Sequence, residues 1–311
     1  VSGAIEFARA SCWYGPVIAL NDVSATIGPG VTGLLGPNGA GKSTFLKLAA
    51  GQLKPSQGEV TVLGAPAWGA PEVFHRVGLC PEPDAFWDGL SGWQFVTFLL
   101  RLSGFDDAEV KRRAEAALAE VDLLAAKDRR IGGYSKGMRQ RVKLAQAIAH
   151  DPQVLLLDEP LTGMDPVNRH RVVELVKRLG REGRTIVMSS HVLYEVEAMT
   201  RNVLLVHQGR ILAEGDVREI RDLLDEHPHA ASVRARDPRR VARAVLDLPE
   251  VVSVEFGEGG ESVVVRTTRP DAFYTALTEV AEEAGVYEVF SPDEDLESVF
   301  KYLLARRGGA R

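Results

Sequence analysis

Cysteine is nearly absent from these 311 residues, with Cys12 and Cys80 the only two. Two thiols without metal-ligand spacing exclude a disulfide framework and a cysteine-held metal site, and they suit a reducing cytoplasm. Both are expected to be structural. Long apolar runs are missing as well: Phe95 to Leu100 and Val154 to Leu157 are short and bounded by polar residues, far from the ~18–20 residues that span a bilayer. An excess of positive charge is also lacking, since 37 Lys and Arg face 43 Asp and Glu for a formal net charge of -6. That balance argues against a chain built mainly to hold nucleic acid, and Lys111-Arg112-Arg113 reads as a solvated helix face. The first residues show no signal-type apolar segment, and Ala4-Ile5-Glu6-Phe7 reads as a strand. No repeat and no low-complexity run occurs.

What is present is the composition of an ordinary globular protein, 45% hydrophobic and 26% charged, with room for one large or two ordinary domains. Its most specific feature is Gly36-Pro37-Asn38-Gly39-Ala40-Gly41-Lys42-Ser43-Thr44, set between an apolar run, Val31 to Leu35, and a helical pattern from Phe45 to Ala50. The spacing fits the P-loop rule of Gly, four residues, then Gly-Lys-Ser/Thr. Glycines let backbone N–H groups turn towards phosphate oxygens, and the helix start adds unpaired amides and a positive dipole end. Lys42 is therefore assigned to the phosphates of a nucleoside triphosphate and Ser43 to a Mg2+ ion bridging them.

A second group follows in Val154-Leu155-Leu156-Leu157-Asp158-Glu159, which puts two carboxylates at the carboxyl end of a buried strand, where open parallel sheets bind ligands. Asp158 suits a Mg2+ contact, and Glu159 is placed to orient or deprotonate the water attacking the γ-phosphate. A third apolar run, Thr185 to Met188, ends in Ser189-Ser190-His191. A neutral imidazole there is able to donate to the γ-phosphate and sense its loss. The other six His residues are read as ordinary surface or core groups.

The runs Val31 to Leu35, Val154 to Leu157 and Thr185 to Met188 predict parallel strands covered on both faces. Ile5 to Ala8, Val23 to Ile27 and Glu59 to Leu63 alternate as an antiparallel edge region would, and His207 to Arg210 reads as a hairpin turn. Two helical patterns lie between Lys42 and Asp151: Ala114, Ala117, Leu118, Val121 and Leu124 share a face, as do Met138, Val142, Ala145, Ile148 and Ala149. Asp165-Pro166 is a helix start. The fold class is thus α/β, with an expected domain over 1–222 carrying a helical insertion at about 84–150, a linker at 223–230 and a small α+β domain over 231–311. The order β-α-β-β-α-β in that last domain suggests a ferredoxin-like sandwich closed by a helix from about Leu296 to Leu304.

In this order the pieces resemble the ATP-binding cassette family of transporter ATPases, whose core is RecA-like with an antiparallel edge and a helical insertion. Tyr134-Ser135-Lys136-Gly137-Met138 resembles the family's Leu-Ser-Gly-Gly-Gln signature, matching strictly at Ser135 and Gly137. Ser135 is a good helix cap and Gly137 keeps the backbone open to an anion; the resemblance places both against the γ-phosphate of ATP on an opposite subunit. Tyr14 resembles the adenine-stacking aromatic, with Trp13 a rival, and Thr162 to Asp165 resembles the loop that crosses the dimer contact. Where the family has a Gln, Pro81 is followed by Glu82, which is expected to read the Mg2+ site although an ionised carboxylate donates no hydrogen bond. Phe86, Trp87, Trp93, Phe95 and Phe98 fall where family members receive a helix of the transmembrane subunit.

The resemblance covers about residues 4–220 and implies an ATPase subunit that uses ATP and Mg2+. Such a subunit is expected to pair with a second ATPase subunit, identical or related, and to drive a transmembrane permease on a separate chain, peripheral to the cytoplasmic face of the cell's inner membrane. Nucleic acid is not an expected partner. A signature of Ser-Lys-Gly-Met type looks like the exporter branch. A soluble ATPase of translation or DNA maintenance is the rival, disfavoured by a single cassette and by the short segment between Lys42 and Ser135. The C-terminal domain is read either as widening the dimer contact or as sensing a small molecule.

Overall fold

The computed structural model describes residues 3–216, 229–257 and 260–290. The chain divides into two compact units, Val1–Asp216 and Val217–Arg311. Positions 223–228 of the expected linker and the expected last helix, Leu296 to Leu304, lie outside the described residues.

In the larger unit, β3 (Gly30–Leu35), β6 (Val77–Cys80), β7 (Val154–Asp158), β8 (Thr185–Ser190), β9 (Asn202–His207) and β10 (Arg210–Asp216) form one sheet in the order β10-β9-β3-β8-β7-β6. All neighbours are parallel except the hairpin β9–β10. Every residue of β7 and β8 is buried, which is why their sequences are apolar runs rather than alternating ones. A second, antiparallel sheet has the order β2-β1-β4-β5, from β1 (Ile5–Tyr14), β2 (Val17–Ile27), β4 (Gln57–Val62) and β5 (Ala65–Pro66). Helix α1 (Lys42–Ala49) touches strands of both sheets. Its Phe45 is fully buried and stacks on Phe7 of β1 with ring centroids 4.0 Å apart. Burying one such side chain is worth ~1.5–3 kcal/mol, so the helix behind the glycine loop is fixed from two sides.

After the short α2 (Pro71–Phe74) and strand β6, a helical segment supplies α3 (Gly92–Leu102), α4 (Asp107–Glu120) and α5 (Lys136–Ile148). Each start is capped by its own sequence. Ser91 and Gln94 form a reciprocal capping box, Asp106 accepts from Ala108 and Glu109 N–H, and Ser135 accepts from Met138 N–H. Asp165 accepts from Asn168 N–H ahead of α6 (Pro166–Arg181), and the short α7 (Leu193–Glu197) follows β8. The sequence assigned α5 one apolar face, but the structure buries Gln140, Val142, Lys143, Leu144, Ala145 and Ala147 and leaves Met138 and Ile148 half-buried. The helix packs against α3, α4, β6 and β7 together, so more than one stripe is covered.

The smaller unit runs β11 (His229–Ala235), α8 (Pro238–Leu246), β12 (Val251–Phe256), β13 (Ser262–Thr267), α9 (Pro270–Ala284) and β14 (Val286–Phe290). Strand β11 begins at His229, inside the stretch expected as linker. The four strands pair antiparallel in the order β12-β13-β11-β14. Val233, Val241, Val245, Val263, Val265 and Phe273 form a separate core. Gly285, at φ +63°, ends α9 in the left-handed conformation that glycine tolerates.

Candidate active site

Strand β8 lies between β3 and β7, with Leu35 opposite Ser190 and Asp158 opposite Ser189. The carboxyl ends of the three strands are therefore level, and the segments that follow them converge. Those segments carry the glycine loop, the acid pair and His191.

The loop takes its shape from glycines that no other residue replaces. Gly41, at φ +110°, caps α1 without a side-chain hydrogen bond, and a Cβ on Gly36 would lie 2.4 Å from the Val206 carbonyl. The first amides of α1 thus have no side-chain cap, the arrangement in which a helix start binds an anion. The loop is tied down on its far side. Gly209 N–H donates to Ala40 O and Gly209 O accepts from Asn21 N–H, both at 2.8 Å. Ala40, Lys42 and Thr44 are buried, Ser43 is half-buried, and Asn38 and Gly39 are exposed.

Lys42 Nζ donates to Gly36 O at 2.6 Å and lies 3.4 Å from Glu159 Oε1. His191 Nδ1 is 3.0 Å from Glu159 Oε2. Asp158 Oδ1 accepts from the Ser189 hydroxyl at 2.6 Å, and the same hydroxyl accepts from Glu159 N–H at 2.9 Å. Lys42, Asp158, Glu159 and His191 therefore meet through contacts made by residues from three strand ends. Ser189 and Gln140, whose Nε2 donates to Glu159 O at 3.1 Å, complete the cluster without having been singled out in the sequence. The signal for Ser189 is its place opposite Asp158; for Gln140 there is no local signal, because a polar residue in a helix reads as solvated.

The other expected site residues make different contacts. Ser135 caps its own helix, with Met138 N 3.3 Å from its Oγ. A Cβ on Gly137 would come 3.6 Å from Gly163 O, so the helix start packs on the Thr162–Asp165 loop. Tyr14 is 45% exposed at the end of β1 opposite Val17, on the hairpin whose Ala19 carbonyl would lie 2.6 Å from a Cβ on Gly41. Glu82 is exposed, and its carbonyl accepts from Lys143 Nζ at 2.6 Å.

No group of three or more His, Cys, Asp or Glu forms a metal cage among the described residues. A Mg2+ that shares phosphate oxygens needs only one or two protein oxygens. Asp158, 4% exposed and hydrogen-bonded to a hydroxyl, together with the Ser43 hydroxyl at the helix start, fits that donor set.

A family model described as ABC transporter matches residues 20–162. A Nod factor export ATP-binding protein of Rhizobium sp. is 31% identical, over 97% of this chain and 97% of its own length. The chain belongs to the ABC transporter family. A daunorubicin/doxorubicin resistance ATP-binding protein of Streptomyces peucetius is 30% identical over 91% of this chain and 98% of its own. An uncharacterized ABC transporter ATP-binding protein of Synechocystis is 38% identical over 68% of this chain, which spans 61% of that relative's length. A solved structure described as the ATP binding subunit of an ABC transporter overlays with a TM-score of 0.65 at 28% identity, over 71% of this chain and 93% of the other. As an ABC transporter ATPase, the chain binds and hydrolyses ATP.

This ABC cassette also carries a groove of about 440 Å³ between the end of β6, α3 and α5, lined by Phe86, Trp87, Phe95, Leu99 and Leu102, with Lys143 among its polar groups. Trp87 meets Phe98 edge-on at 5.5 Å and Phe86 meets Phe95 at 5.3 Å. Trp93 lies under Lys127 instead, 4.9 Å from its Nζ. No helix among the described residues is long and apolar enough to cross a membrane.

Proposed function

We propose that this subunit powers export through a permease on a separate chain, to which it binds at the cytoplasmic face of the inner membrane. The observation that carries the direction is coverage. The Nod factor export and drug-resistance relatives match along 97% and 91% of the chain, through the smaller unit as well as the cassette. The aromatic groove supports a permease helix as its occupant, since an apolar cleft of this kind suits an amphipathic helix. A soluble role in translation or DNA maintenance is not favoured by relatives that are transporter subunits.

Two cassettes close over two ATP molecules in this reading. Residues Gly36, Asn38, Gly39, Ala40, Gly41, Lys42, Ser43 and Thr44 hold the phosphates, and Tyr14 stacks on adenine. Ser135 and Gly137 of one copy face the ATP held by the other. Ser43 and Asp158, with Glu82 as a further candidate, would hold Mg2+, which would supply neutralisation of phosphate charge. Glu159 takes the proton of the attacking water, and the single N–H of a neutral His191 either holds the Glu159 carboxylate through Nδ1 or donates to the γ-phosphate through Nε2. Loss of that phosphate removes the binding energy that favours closure. The smaller unit's strand order supports a ferredoxin-like sandwich, whose role is either to widen the dimer contact or to sense a small molecule.

The test is reconstitution. A polytopic membrane protein that co-purifies with the tagged chain from membranes should, in vesicles, accumulate or expel cargo only with ATP and raise the turnover of the chain. Co-purification with ribosomes or DNA instead, with no stimulation by any membrane partner, would overturn the export reading.

A further inference from the structure

Glu159 stands in an unusual backbone state. Its φ is +48°, the left-handed region that non-glycine residues seldom occupy. The next residue is Pro160, and a residue before proline is pushed towards extended φ near −120°. Two backbone preferences thus oppose the observed conformation, and such states persist only where the surroundings over-determine them.

The surroundings do so here with two side chains. Glu159 N–H donates to Ser189 Oγ at 2.9 Å, and Glu159 O accepts from Gln140 Nε2 at 3.1 Å. Both partners are buried, Ser189 at 0% and Gln140 at 6% exposure. Ser189 belongs to β8, beside β7 in the sheet. Gln140 belongs to α5, the helix whose first turn carries Ser135 and Gly137.

We propose that Gln140 is a positioning residue that holds Glu159 in its left-handed state and so aims its carboxylate at the reacting water, tying that aim to the helix that bears Ser135 and Gly137. Without the amide, relaxation of Glu159 towards extended φ swings the carboxylate away from Lys42 and His191. Side-chain displacements of about 1 Å cost up to ~100-fold in rate. The inference rests on the reading of Glu159 as the group that activates water.

The experiment measures ATP binding and steady-state hydrolysis for the full chain with Gln140→Leu and Gln140→Glu, each in the parent and in a Glu159→Gln background. Expected is a fall in kcat of ~10-fold or more, with KM and Kd for ATP within about threefold, and less than a twofold further loss once Glu159 is Gln. An equal loss in both backgrounds, a loss confined to KM, or no loss overturns the proposal. If Gln140→Leu does not retain ATP, the isosteric Gln140→Glu, whose ionised carboxylate cannot donate to the carbonyl, decides by the same criteria. Undiminished turnover in Glu159→Gln alone overturns instead the underlying role of Glu159, so the two failures are distinct.

Discussion

Lys42 and Glu159 form a buried ion pair, Nζ to Oε1 at 3.4 Å, with each side chain 7% exposed. The ammonium assigned to the phosphates and the carboxylate assigned to the water are thus mutual partners, and each sets the charge the other sees. Removing the ammonium should cost a charged hydrogen bond to phosphate, about 1.5–3 kcal/mol, or ~10- to 150-fold in Kd. Lys42→Met is expected to weaken ATP binding by that amount, measured by titration with a fluorescent ATP analogue. ATP retention at parental affinity would remove Lys42 from the phosphate site.

Glu159→Gln keeps the shape of the side chain and its reach to His191 but cannot accept a proton. Nucleotide binding should survive, because the glycine loop and the amides of α1 are untouched. Hydrolysis should drop by ~10²–10⁴-fold, the usual worth of a positioned base, and a closed dimer should accumulate with ATP. Phosphate release and size-exclusion chromatography with ATP read the two effects separately.

The parts of this site that the sequence made legible are those where the residue type is itself the constraint. Gly41 and Gly36 are set by backbone geometry, Lys42 and Ser43 by the phosphate chemistry proposed for them, and Asp158 and Glu159 stand at the end of an unbroken apolar strand. The three runs around Leu34, Leu156 and Val187 gave away a sheet covered on both faces. What stayed hidden depends on contacts between elements distant in the chain. Gln140 and Glu159 are separated by the rest of α5, its connection and strand β7, and nothing near Gln140 distinguishes a buried amide from a solvated one. Lys143 is 3% exposed, although lysine is the residue least expected inside, because its partners Glu82 O and Asp84 are supplied by a loop some sixty positions earlier. Met138 was placed on the apolar face by periodicity, which assumes one buried stripe, whereas α5 is enclosed on several sides.

Cys80 closes β6 at 0% exposure, and burial pushes its thiol up to about 12, with Lys143 opposing and Asp158 reinforcing the shift. The thiolate is the reactive form, so Cys80 in the folded chain should resist iodoacetamide at pH 8–9 and react only as fast as the chain unfolds. Its ordinary value is 9.0. Below that pH both states keep the proton and stability is unaffected. Between about 9 and 12 the unfolded chain loses the proton while the folded one keeps it, so stability falls as pH rises. Mass spectrometry of labelled peptides at graded urea checks the first expectation; rapid labelling without denaturant would contradict the buried environment.

Two side chains of α5 and one just past its end close the open edge of the parallel sheet. Lys143 Nζ donates to Glu82 O at 2.6 Å, Gln146 Nε2 donates to Leu79 O at 2.6 Å, and the His150 Nε2 lies 3.1 Å from Val77 O. Strand β6 is the last in the sheet, and an edge strand whose carbonyls are taken by a helix cannot recruit another chain. Lys143→Met should leave Glu82 O without its donor and Asp84 with only the more distant Arg139, and lower stability by about 1–3 kcal/mol, read from urea unfolding. His150 adds a pH dependence of definite sign. Burial holds its imidazole below the ordinary 6.5, only partly offset by the Val77 carbonyl, with Arg113 and His75 also lowering it and Asp151 raising it. Above 6.5 both states are neutral and the contact contributes in full. As pH falls through and below 6.5 the unfolded chain takes up a proton that the folded chain resists, so stability is lost towards acid. His150→Gln keeps a donor for Val77 O and cannot titrate. Its unfolding midpoint should therefore decline less between pH 7.5 and 5.5 than that of the parent, and parallel declines would show that the imidazole is not held neutral against β6.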